Sequence, residues 1–402
     1  MLDRNAQSDS TPPDLAGLRV ALAHDWLVAR RGGELVLDAI AENLLRAGAR
    51  VTRLYTMFHA RRPIAPAIDA LEPSVSSLDR APRRARRWLL PLYPRAVDEL
   101  SRRLARDHAR EPIDLLISTS SAAIKNLRPP EGVAHLCYCH SPARYLWDQR
   151  ADYATSAALP DRARAWGLTR CGPRLRAWDH DGARHVTRFI ANSAHIASRI
   201  RAVYDRDSVV VHPPVRTDFF TPDDTPRTGA LLVAGAIEPY KRADLAIEAA
   251  RLMSAPIDIV GDGSAARALR RRYPPSDLVR WHGQRRDADL RDHFRAARAL
   301  IQPQTEDFGI LAVEAQACGC PVVARRAGGA LDTVQDTRTG ALFDAPEPDE
   351  IRRAIERLDA PTITPGACRA GALRFSRPAF DAKLAAVIDA TLAQRPGPPD
   401  HS

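Results

Sequence analysis

The stretch LRVALAHDWLVARRGGELVLDAIAENLLRAGARVTRLYT, from Leu18 to Thr56, sets the architecture expected of this chain. An apolar run at its start leads into a loop that contains Gly32 and Gly33. Apolar residues then recur at helical spacing, and a second apolar run begins at Val51. This alternation predicts a βαβ unit whose helix begins at the two glycines, where backbone N–H groups can receive an anion. A tight turn that merely requires glycine explains the pair equally well, and the absence of the six-residue dinucleotide pattern argues against NAD.

The same alternation continues along the chain. Strand-like runs at Ile113–Thr119, Ala134–Cys139 and Phe189–Ala191 predict a parallel sheet covered by helices up to about residue 195. A second series begins with ALLVAGA, after a polar, proline-rich connection. Two such series predict an α/β protein of two Rossmann-like domains that face a cleft. The expected organisation is a disordered lead (1–17), an N-terminal Rossmann-like domain (18–215), a linker (216–228), a C-terminal Rossmann-like domain (229–375), a C-terminal helix (376–395) and a disordered tail (396–402).

Composition limits the classes of protein to which this chain can belong. Its 402 residues suit two domains. No apolar run reaches the roughly 18 residues of a membrane-spanning helix, and the first residues lack the apolar core of a signal peptide. The six cysteines form no C-x-x-C pairs, which predicts reduced thiols in the cytoplasm rather than zinc or disulfides. The net charge of +10 is compatible with nucleic acid, anionic lipid or phosphorylated substrates, and with an arginine-rich genome.

Two carboxylates, Glu306 and Glu314, lie eight positions apart in EDFGILAVEAQACGCPVVA. A helical run begins after Gly309, so Glu306 is expected in the preceding loop and Glu314 in the first turns of the helix. Without a third ligand or a histidine nearby they make a weak metal site, and acidic residues are common near helix starts for dipole reasons alone. Asp179-His180-Asp181 has the D-x-D spelling of a metal motif but lies in an arginine-rich helical segment, so we expect no metal there.

Three further candidates follow predicted strands. Lys241 comes after a strand and a turn, where a cation can reach a phosphate, although a lone lysine is by default a surface residue. Gly261-Asp262-Gly263 is interpreted as a turn first and a ligand contact second. His140 follows a strand at its carboxyl end, and there we weigh a functional and a structural histidine equally.

An ordered set of motifs resembles the retaining glycosyltransferases of family 4. In the C-terminal half it comprises Gly235, Lys241, GDG at 261–263, the E-x7-E pair, ACGCPVVA and AGG at 327–329. In the N-terminal half, HDWLVARRGGE, CYCHSPARYLWD, FIANSAHIASRI and HPPVRTDFF resemble the mannosyltransferase-like members that build O-antigen and exopolysaccharide units. The resemblance runs from about residue 18 to residue 390. It implies a GT-B fold, with the donor held mainly by the C-terminal domain and the C-terminal helix packed back toward the N-terminal domain.

The resemblance also implies roles for individual residues. Glu314 is expected to bind the nucleotide ribose, Glu306 to lie by the transferred hexose, and Lys241 to stabilise the donor diphosphate as the glycosidic bond breaks. His140 matches the active-site histidine near that sugar. In the family a front-face route explains retention without an enzymic nucleophile; neither a metal nor a cofactor is implied. The expected catalytic residues are His140, Lys241 and Glu306, and the expected donor-binding residues are Gly32, Gly33, Lys241, Arg242, Gly261, Gly263, Glu306, Phe308, Gly309, Ile310 and Glu314.

The chain departs from the family at two positions. The family usually has arginine where this chain has Ala236, so Arg242, Arg30 or Arg31 is expected to replace it at the diphosphate. The family's PPVD motif ends in Arg216 here, which predicts an altered interdomain contact. Neither change removes a predicted catalytic residue, and we therefore expect an active enzyme.

The leading prediction is transfer of a hexose, with mannose from GDP-mannose favoured by the resemblance, to a lipid-linked oligosaccharide or a similar glycan acceptor. Arg80–Arg106 groups arginines around apolar residues, which suits peripheral contact with an anionic cytoplasmic membrane and equally an amphipathic domain helix. The alternatives are a nucleotide-sugar epimerase on the same fold and a basic nucleic-acid-binding protein. The E-x7-E motif disfavours the first alternative, and scattered arginines without a recognised binding module disfavour the second.

Overall fold

The protein divides into two compact units. The computed structural model describes residues 15–82, 89–147 and 159–393, with the backbone alone for residues 159–169. The N-terminal unit takes the chain up to Asn192, then Ile196–Val211 and everything from Asp381 onward. The C-terminal unit takes Ser193–His195 and His212–Phe380. The chain therefore crosses between the two units more than once.

The N-terminal unit is built on a seven-stranded sheet with the order β3-β2-β1-β4-β5-β6-β7, and all its strand pairs are parallel. The order reverses between β1 and β4, which makes this pair the switch point at which ligands of such sheets bind. Its strands are β1 (Arg19–Leu27), β2 (Arg50–His59), β3 (Pro73–Val75), β4 (Leu115–Ser120), β5 (Ala134–Cys139), β6 (Arg188–Ala191) and β7 (Ser208–Val210). Its helices are α1 (Gly32–Arg46), α2 (Pro66–Asp69), α3 (Tyr93–Arg110), α4 (Arg144–Trp147), α5 (Leu159–Gly182) and most of α6 (Ala194–Tyr204).

The C-terminal unit contains a six-stranded parallel sheet with the order β10-β9-β8-β11-β12-β13 and a switch point between β8 and β11. Its strands are β8 (Leu231–Ala234), β9 (Ile257–Val260), β10 (Val279–Gly283), β11 (Ala299–Gln302), β12 (Val322–Arg325) and β13 (Gly340–Phe343). Its helices are α7 (Ala243–Leu252), α8 (Ala266–Arg272), α9 (Asp287–Ala296), α10 (Ile310–Ala317), α11 (Ala330–Thr333), α12 (Pro348–Glu356) and α13 (Pro365–Leu373). The last helix, α14 (Arg377–Leu392), begins here and continues in the N-terminal unit.

The predicted strands agree closely with the N-terminal sheet. Ala134–Cys139 coincides with β5, and β4 and β6 differ from their predicted bounds by one or two residues at an end. β1 is longer than the predicted apolar run because it continues through His24 and Asp25, whose buried side chains are hydrogen-bonded within the unit. α1 begins at Gly32, after an extended Arg31 that provides no side-chain cap.

The boundary between the two units lies earlier in the chain than predicted. Residues 212–228, most of them expected in a linker, belong to the C-terminal unit because they bond and pack within it. The Val215 N–H donates to the Phe375 carbonyl at 2.8 Å, and Phe220 is fully buried. The connection therefore starts after Val211 rather than after Val215.

α14 returns the chain to the N-terminal unit, as the resemblance implies. Asp381 lies 2.7 Å from Arg46 of α1, and Leu384 and Ile388 are fully buried. Within the described ranges, no helix is both long enough and apolar enough to cross a membrane. Cys318 and Cys320 are buried in the core of the C-terminal unit, where they serve as packing residues.

Candidate functional site

Two predicted site residues follow the strands at the switch point of the C-terminal sheet. Lys241 ends a short 3-10 helix after β8, and Glu306 lies in the loop between β11 and α10. Lys241 Nζ is 3.0 Å from Glu306 Oε1, and Gln304 Nε2 donates to the same oxygen at 2.9 Å. The Lys241 and Glu306 side chains are 21% and 25% exposed, so solvent and ligands reach the pair. The arrangement holds a cation in a fixed place at the strand ends.

Glu314 lies on the second turn of α10 and is only 8% exposed. Burial raises the pKa of its carboxyl to about 8, Arg216 opposes that shift, and Asp287 adds to it. Arg216 Nη2 is 3.9 Å from Glu314 Oε1, which is an ion contact rather than a hydrogen bond. A buried carboxyl with a perturbed pKa at the start of a helix is a candidate ligand contact.

Arg216 belongs to the surroundings of Glu314, which the sequence analysis does not foresee. Its guanidinium lies 2.9 Å from Asp287, the first residue of α9. The same group packs 5.1 Å from the ring centroids of Phe219 and Phe220. The residue that departs from the PPVD motif is thus part of the C-terminal unit's own charge network. An altered interdomain contact at this position stays a prediction.

Glycines let the strand ends of this unit approach one another. At Gly261, where φ is +138°, a Cβ atom would lie 1.8 Å from the Gly235 carbonyl oxygen. At Gly329, a Cβ atom would lie 2.3 Å from Phe308 Cα. Any side chain at either place would displace backbone. The GDG segment therefore packs backbone against backbone on Gly235 and Ile237. The predicted turn begins at Ser264 instead, and contact of the segment with a ligand stays a prediction.

The remaining donor-binding candidates of this unit cluster around α10, apart from Arg242. Phe308 is buried in the core, Gly309 adopts a left-handed conformation at the N-cap, and Ile310 begins the helix. Arg242, expected to replace the missing arginine, lies 3.0 Å from Asp244 and thus already has an acidic partner.

Other predicted residues meet in the N-terminal unit. A methyl group on Gly33, in the first turn of α1, would lie 3.4 Å from His24 Cε1 and 3.5 Å from His140 Nε2. Burial lowers the pKa of His24 to about 4 and that of His140 to about 3, so both imidazoles are neutral at pH 7. Among the described residues, the buried His140 Nε2 has no hydrogen-bond partner. A neutral imidazole nitrogen beside a helix start can exchange a hydrogen bond with a ligand hydroxyl.

Asp25 is a site-building residue that the sequence analysis missed. Its Oδ1 accepts hydrogen bonds from the Ala123 and Ile124 N–H groups at 2.8 and 2.7 Å. Its Oδ2 accepts from the Ser121 and Ala122 N–H groups at 2.6 and 2.9 Å. One buried carboxylate on β1 thus fixes the loop after β4, at the N-terminal switch point. The available signal was the His-Asp pair that directly follows the first apolar run.

The D-x-D spelling at 179–181 has a structural explanation. Asp179 is fully buried, and its Oδ1 lies 2.6 Å from Lys125 Nζ. Its Oδ2 accepts hydrogen bonds from Trp147 Nε1 at 2.8 Å and from the Tyr204 hydroxyl at 2.9 Å. These three partners account for the carboxylate without a metal ion.

The basic segment Arg80–Arg106 is described only in part, because residues 83–88 lie outside the described residues. Its later portion enters α3, which buries Val97, Leu100 and Leu104 in the N-terminal unit. That portion is an amphipathic helix packed on its own unit. Contact with a membrane stays a prediction.

Residues 219–360 match the protein family described as glycosyl transferases group 1. The C-terminal unit is a group 1 glycosyltransferase domain. The matched range contains Lys241, Glu306 and Glu314, together with the switch-point strands β8 and β11. The family predicted from the ordered set of motifs is confirmed at the level of a group 1 glycosyltransferase domain, and the mannosyltransferase-like subtype stays a prediction.

Individual proteins resemble the chain in part or in whole. D-inositol 3-phosphate glycosyltransferase 2 of Catenulispora acidiphila is 34% identical over 206 residues, which cover 43% of this chain and 48% of that protein. The chain spans about half the length of the curated relatives it matches. Sucrose-phosphate synthase of Thermosynechococcus elongatus superposes with a TM-score of 0.72 at 19% identity, over 94% of this chain and 99% of that one. HepE of Anabaena, solved in complex with UDP, superposes with a TM-score of 0.66 at 16% identity, over 93% of this chain and 100% of that one. These superpositions confirm the predicted GT-B fold class.

Proposed function

We propose that the protein is a retaining hexosyltransferase that uses a nucleotide sugar as its donor. The observation that carries the proposal is the Lys241–Glu306 ion pair, 3.0 Å long, at the switch point of a group 1 glycosyltransferase domain. Ligands of doubly wound sheets bind at this place. A fixed and accessible cation there suits a diphosphate, whose negative charge grows as the glycosidic bond breaks.

In this reaction, each candidate site residue of the C-terminal unit has its own role. Lys241 stabilises the departing diphosphate more strongly in the transition state than in the ground state, which raises the rate. Glu306, held by Lys241 and Gln304, orients the hexose. Glu314 accepts a hydrogen bond from a ribose hydroxyl, and that bond favours the ionised carboxylate because charge-assisted bonds are the stronger ones. The closely packed segment 261–263 offers backbone groups to the donor.

The N-terminal unit supplies uncharged contacts in this proposal. His140 is neutral at the working pH, so its Nε2 acts as a hydrogen-bond partner of the sugar rather than as a cation. Gly32 and Gly33 offer N–H groups of the first turn of α1 to phosphate oxygens. The leaving phosphate takes the acceptor proton in the front-face route, so the proposal assigns no protein base and no metal ion to the reaction.

The identities of the donor and the acceptor are proposed from the similarity of this chain to other proteins. The N-terminal motifs favour mannose from GDP-mannose and a lipid-linked oligosaccharide acceptor, met from the cytoplasmic side of the membrane. A second candidate acceptor is a phosphorylated inositol, favoured by the 34% identity to a D-inositol 3-phosphate glycosyltransferase. UDP-hexoses are candidate donors because the similar HepE was solved in complex with UDP.

The test is a panel of nucleotide sugars, GDP-mannose and UDP-glucose among them, each offered with a lipid-linked oligosaccharide or with inositol 3-phosphate. Nucleotide release and the mass of the product are followed together. We expect acceptor-dependent release from one donor and its loss in Lys241→Ala. Lys383→Ala removes an exposed lysine of α14 and serves as the matched control. Wild-type release no greater than that of Lys241→Ala with every pair would refute the proposed function.

A further inference from the structure

We propose that Asp258, His282 and His293 form a binding site for a divalent transition-metal ion of the zinc class. The three residues come from three different elements, β9, β10 and α9. One carboxylate oxygen and one nitrogen from each imidazole lie within 4.8 Å of one another. None of the three is among the residues proposed above to bind the donor or to act in transfer.

The strand register brings these side chains together. Arg280 of β10 pairs directly with Asp258 of β9, and His282 is two residues further along β10, so it projects from the same face of the sheet. His282 Nε2 lies 2.6 Å from Asp258 Oδ1. The rings of His282 and His293 are 4.7 Å apart between centroids, at an interplanar angle of 62°. The cluster thus consists of two strand residues, Asp258 and His282, and one helix residue, His293.

The donor set decides which ions fit. Two imidazoles and one carboxylate, with an open position for water, form a common zinc coordination set. Imidazole suits zinc, nickel and copper, whereas magnesium and calcium prefer sites made of several oxygen ligands. Asp258 is the only carboxylate of the cluster, so hard cations are disfavoured.

Arg280 lies outside the three-residue cluster and hydrogen-bonds to one of its members, Asp258. Its Nε donates to Asp258 Oδ1 at 2.8 Å, and its Nη2 donates to Asp258 Oδ2 at 2.9 Å. Such outer hydrogen bonds fix the orientation of a ligating carboxylate in known metal sites. The guanidinium also neutralises Asp258, so ligation depends chiefly on the two imidazoles.

Solvent reaches the cluster from one side. His282 and His293 line a depression of about 530 Å³, whose lining also includes Arg285, Asp289 and Asp292. The Asp258 and His282 side chains are 14% and 27% exposed, so an ion can enter without unfolding of the unit. Bound there, the ion would tie the β9–β10 edge of the sheet to α9, and its effect would appear as added stability of the C-terminal unit.

The first measurement is titration of metal-free, full-length protein with Co²⁺, followed by visible absorption, with Zn²⁺ as competitor. It is made at about pH 7.5, above the ordinary histidine pKa of about 6.5. We expect one equivalent to bind, and His293→Gln to weaken binding by about 100-fold or more, since changes in the outer shell alone cost 10- to 100-fold. His293→Gln leaves the His282–Asp258 hydrogen bond in place, which guards against simple misfolding. His180→Ala, which removes an exposed histidine of α5, should bind as the wild type does.

The second measurement is thermal melting with and without Zn²⁺. The ion should raise the melting temperature of the wild type and of His180→Ala, but not that of His282→Gln or His293→Gln. No cobalt spectrum, or equal binding by the wild type and His293→Gln, would overturn the proposal and leave a hydrogen-bonded polar cluster. Neither readout uses sugar transfer, so this result is independent of the proposed function.

Discussion

Replacing Glu314 by glutamine should separate the cost of burying this carboxyl from its use in binding a donor. The substitution keeps the shape of the side chain and removes its ionisation. Glu314 is 8% exposed, and burial raises its pKa from 4.5 to about 8. Two opposite effects follow, one on stability and one on donor use.

The effect on stability depends on pH. A carboxyl with a raised pKa binds its proton more readily in the folded state than in the unfolded state. Its favourable contribution is full below the unfolded pKa of 4.5 and is lost as the pH rises through about 8. Between pH 6 and pH 9 the loss amounts to about 2 to 3 kcal/mol, or roughly 4 to 12 °C in the melting temperature of a domain of this size. Glu314→Gln has no such loss, so its melting temperature should rise relative to the wild type as the pH increases.

The substitution should raise the stability at high pH but lower the efficiency with which the enzyme uses its donor. A hydrogen bond to a charged group contributes about 1.5 to 3 kcal/mol, so Glu314→Gln should lower kcat/KM for the donor by about 10- to 150-fold. The variant is therefore expected to be more stable at high pH and less active.

Differential scanning fluorimetry at pH 6 and pH 9 and initial rates over a donor series measure the two effects. Glu347→Gln makes the same change at an exposed position and should alter neither. Unchanged donor kinetics would remove Glu314 from the donor site. An equal melting difference at the two pH values would refute the reasoning from burial.

Further expectations concern the diphosphate, the backbone contact at Gly261 and the basic segment. Lys241→Ala should lower transfer at least about tenfold, and wild-type transfer should persist in excess EDTA; abolition by EDTA with rescue by manganese would contradict a side-chain cation. Gly261→Ala would place a Cβ atom 1.8 Å from the Gly235 carbonyl oxygen, so its melting temperature should fall sharply, and a wild-type melting curve would contradict this close backbone contact. The Arg80–Arg106 segment should bind anionic liposomes, release them as salt rises, and lose binding when its arginines at 83, 84, 86 and 87 become serine; equal binding to neutral liposomes would contradict a membrane role.

The elements that could be predicted from the sequence are those with local signals. Buried parallel strands have nearly continuous apolar sequences, and the run Ala134–Cys139, interrupted only by His135, coincides with β5. The start of α1 was marked by Gly32 and the loop position of Glu306 by Gly309, because glycine punctuates strand and helix ends.

The remaining features depend on contacts between segments that are far apart in the sequence, and such contacts have no local signal. Lys241 and Glu306 were each predicted, but their ion pair joins two loops that follow different strands. Arg216, Asp287 and Glu314 come from a connection and two helices, and neither periodicity nor spacing in one sequence relates them. Asp25 was missed for another reason: a charged residue normally ends an apolar strand, and here the backbone N–H groups of a neighbouring loop satisfy it instead.

The repeated crossing of the chain between its units constrains how donor specificity can be exchanged by recombination. A graft of residues 219–360, the range that matches the family, would leave Arg216 behind and separate it from Asp287. A graft of residues 212–380 would keep that pair, yet the Ser193 hydroxyl, which donates to the Asp307 carbonyl at 2.5 Å, would still come from the recipient. A chimera with a single cut on either side therefore takes its C-terminal unit from two parents, and a complete exchange has to carry a second, very short segment, Ser193–His195, as well.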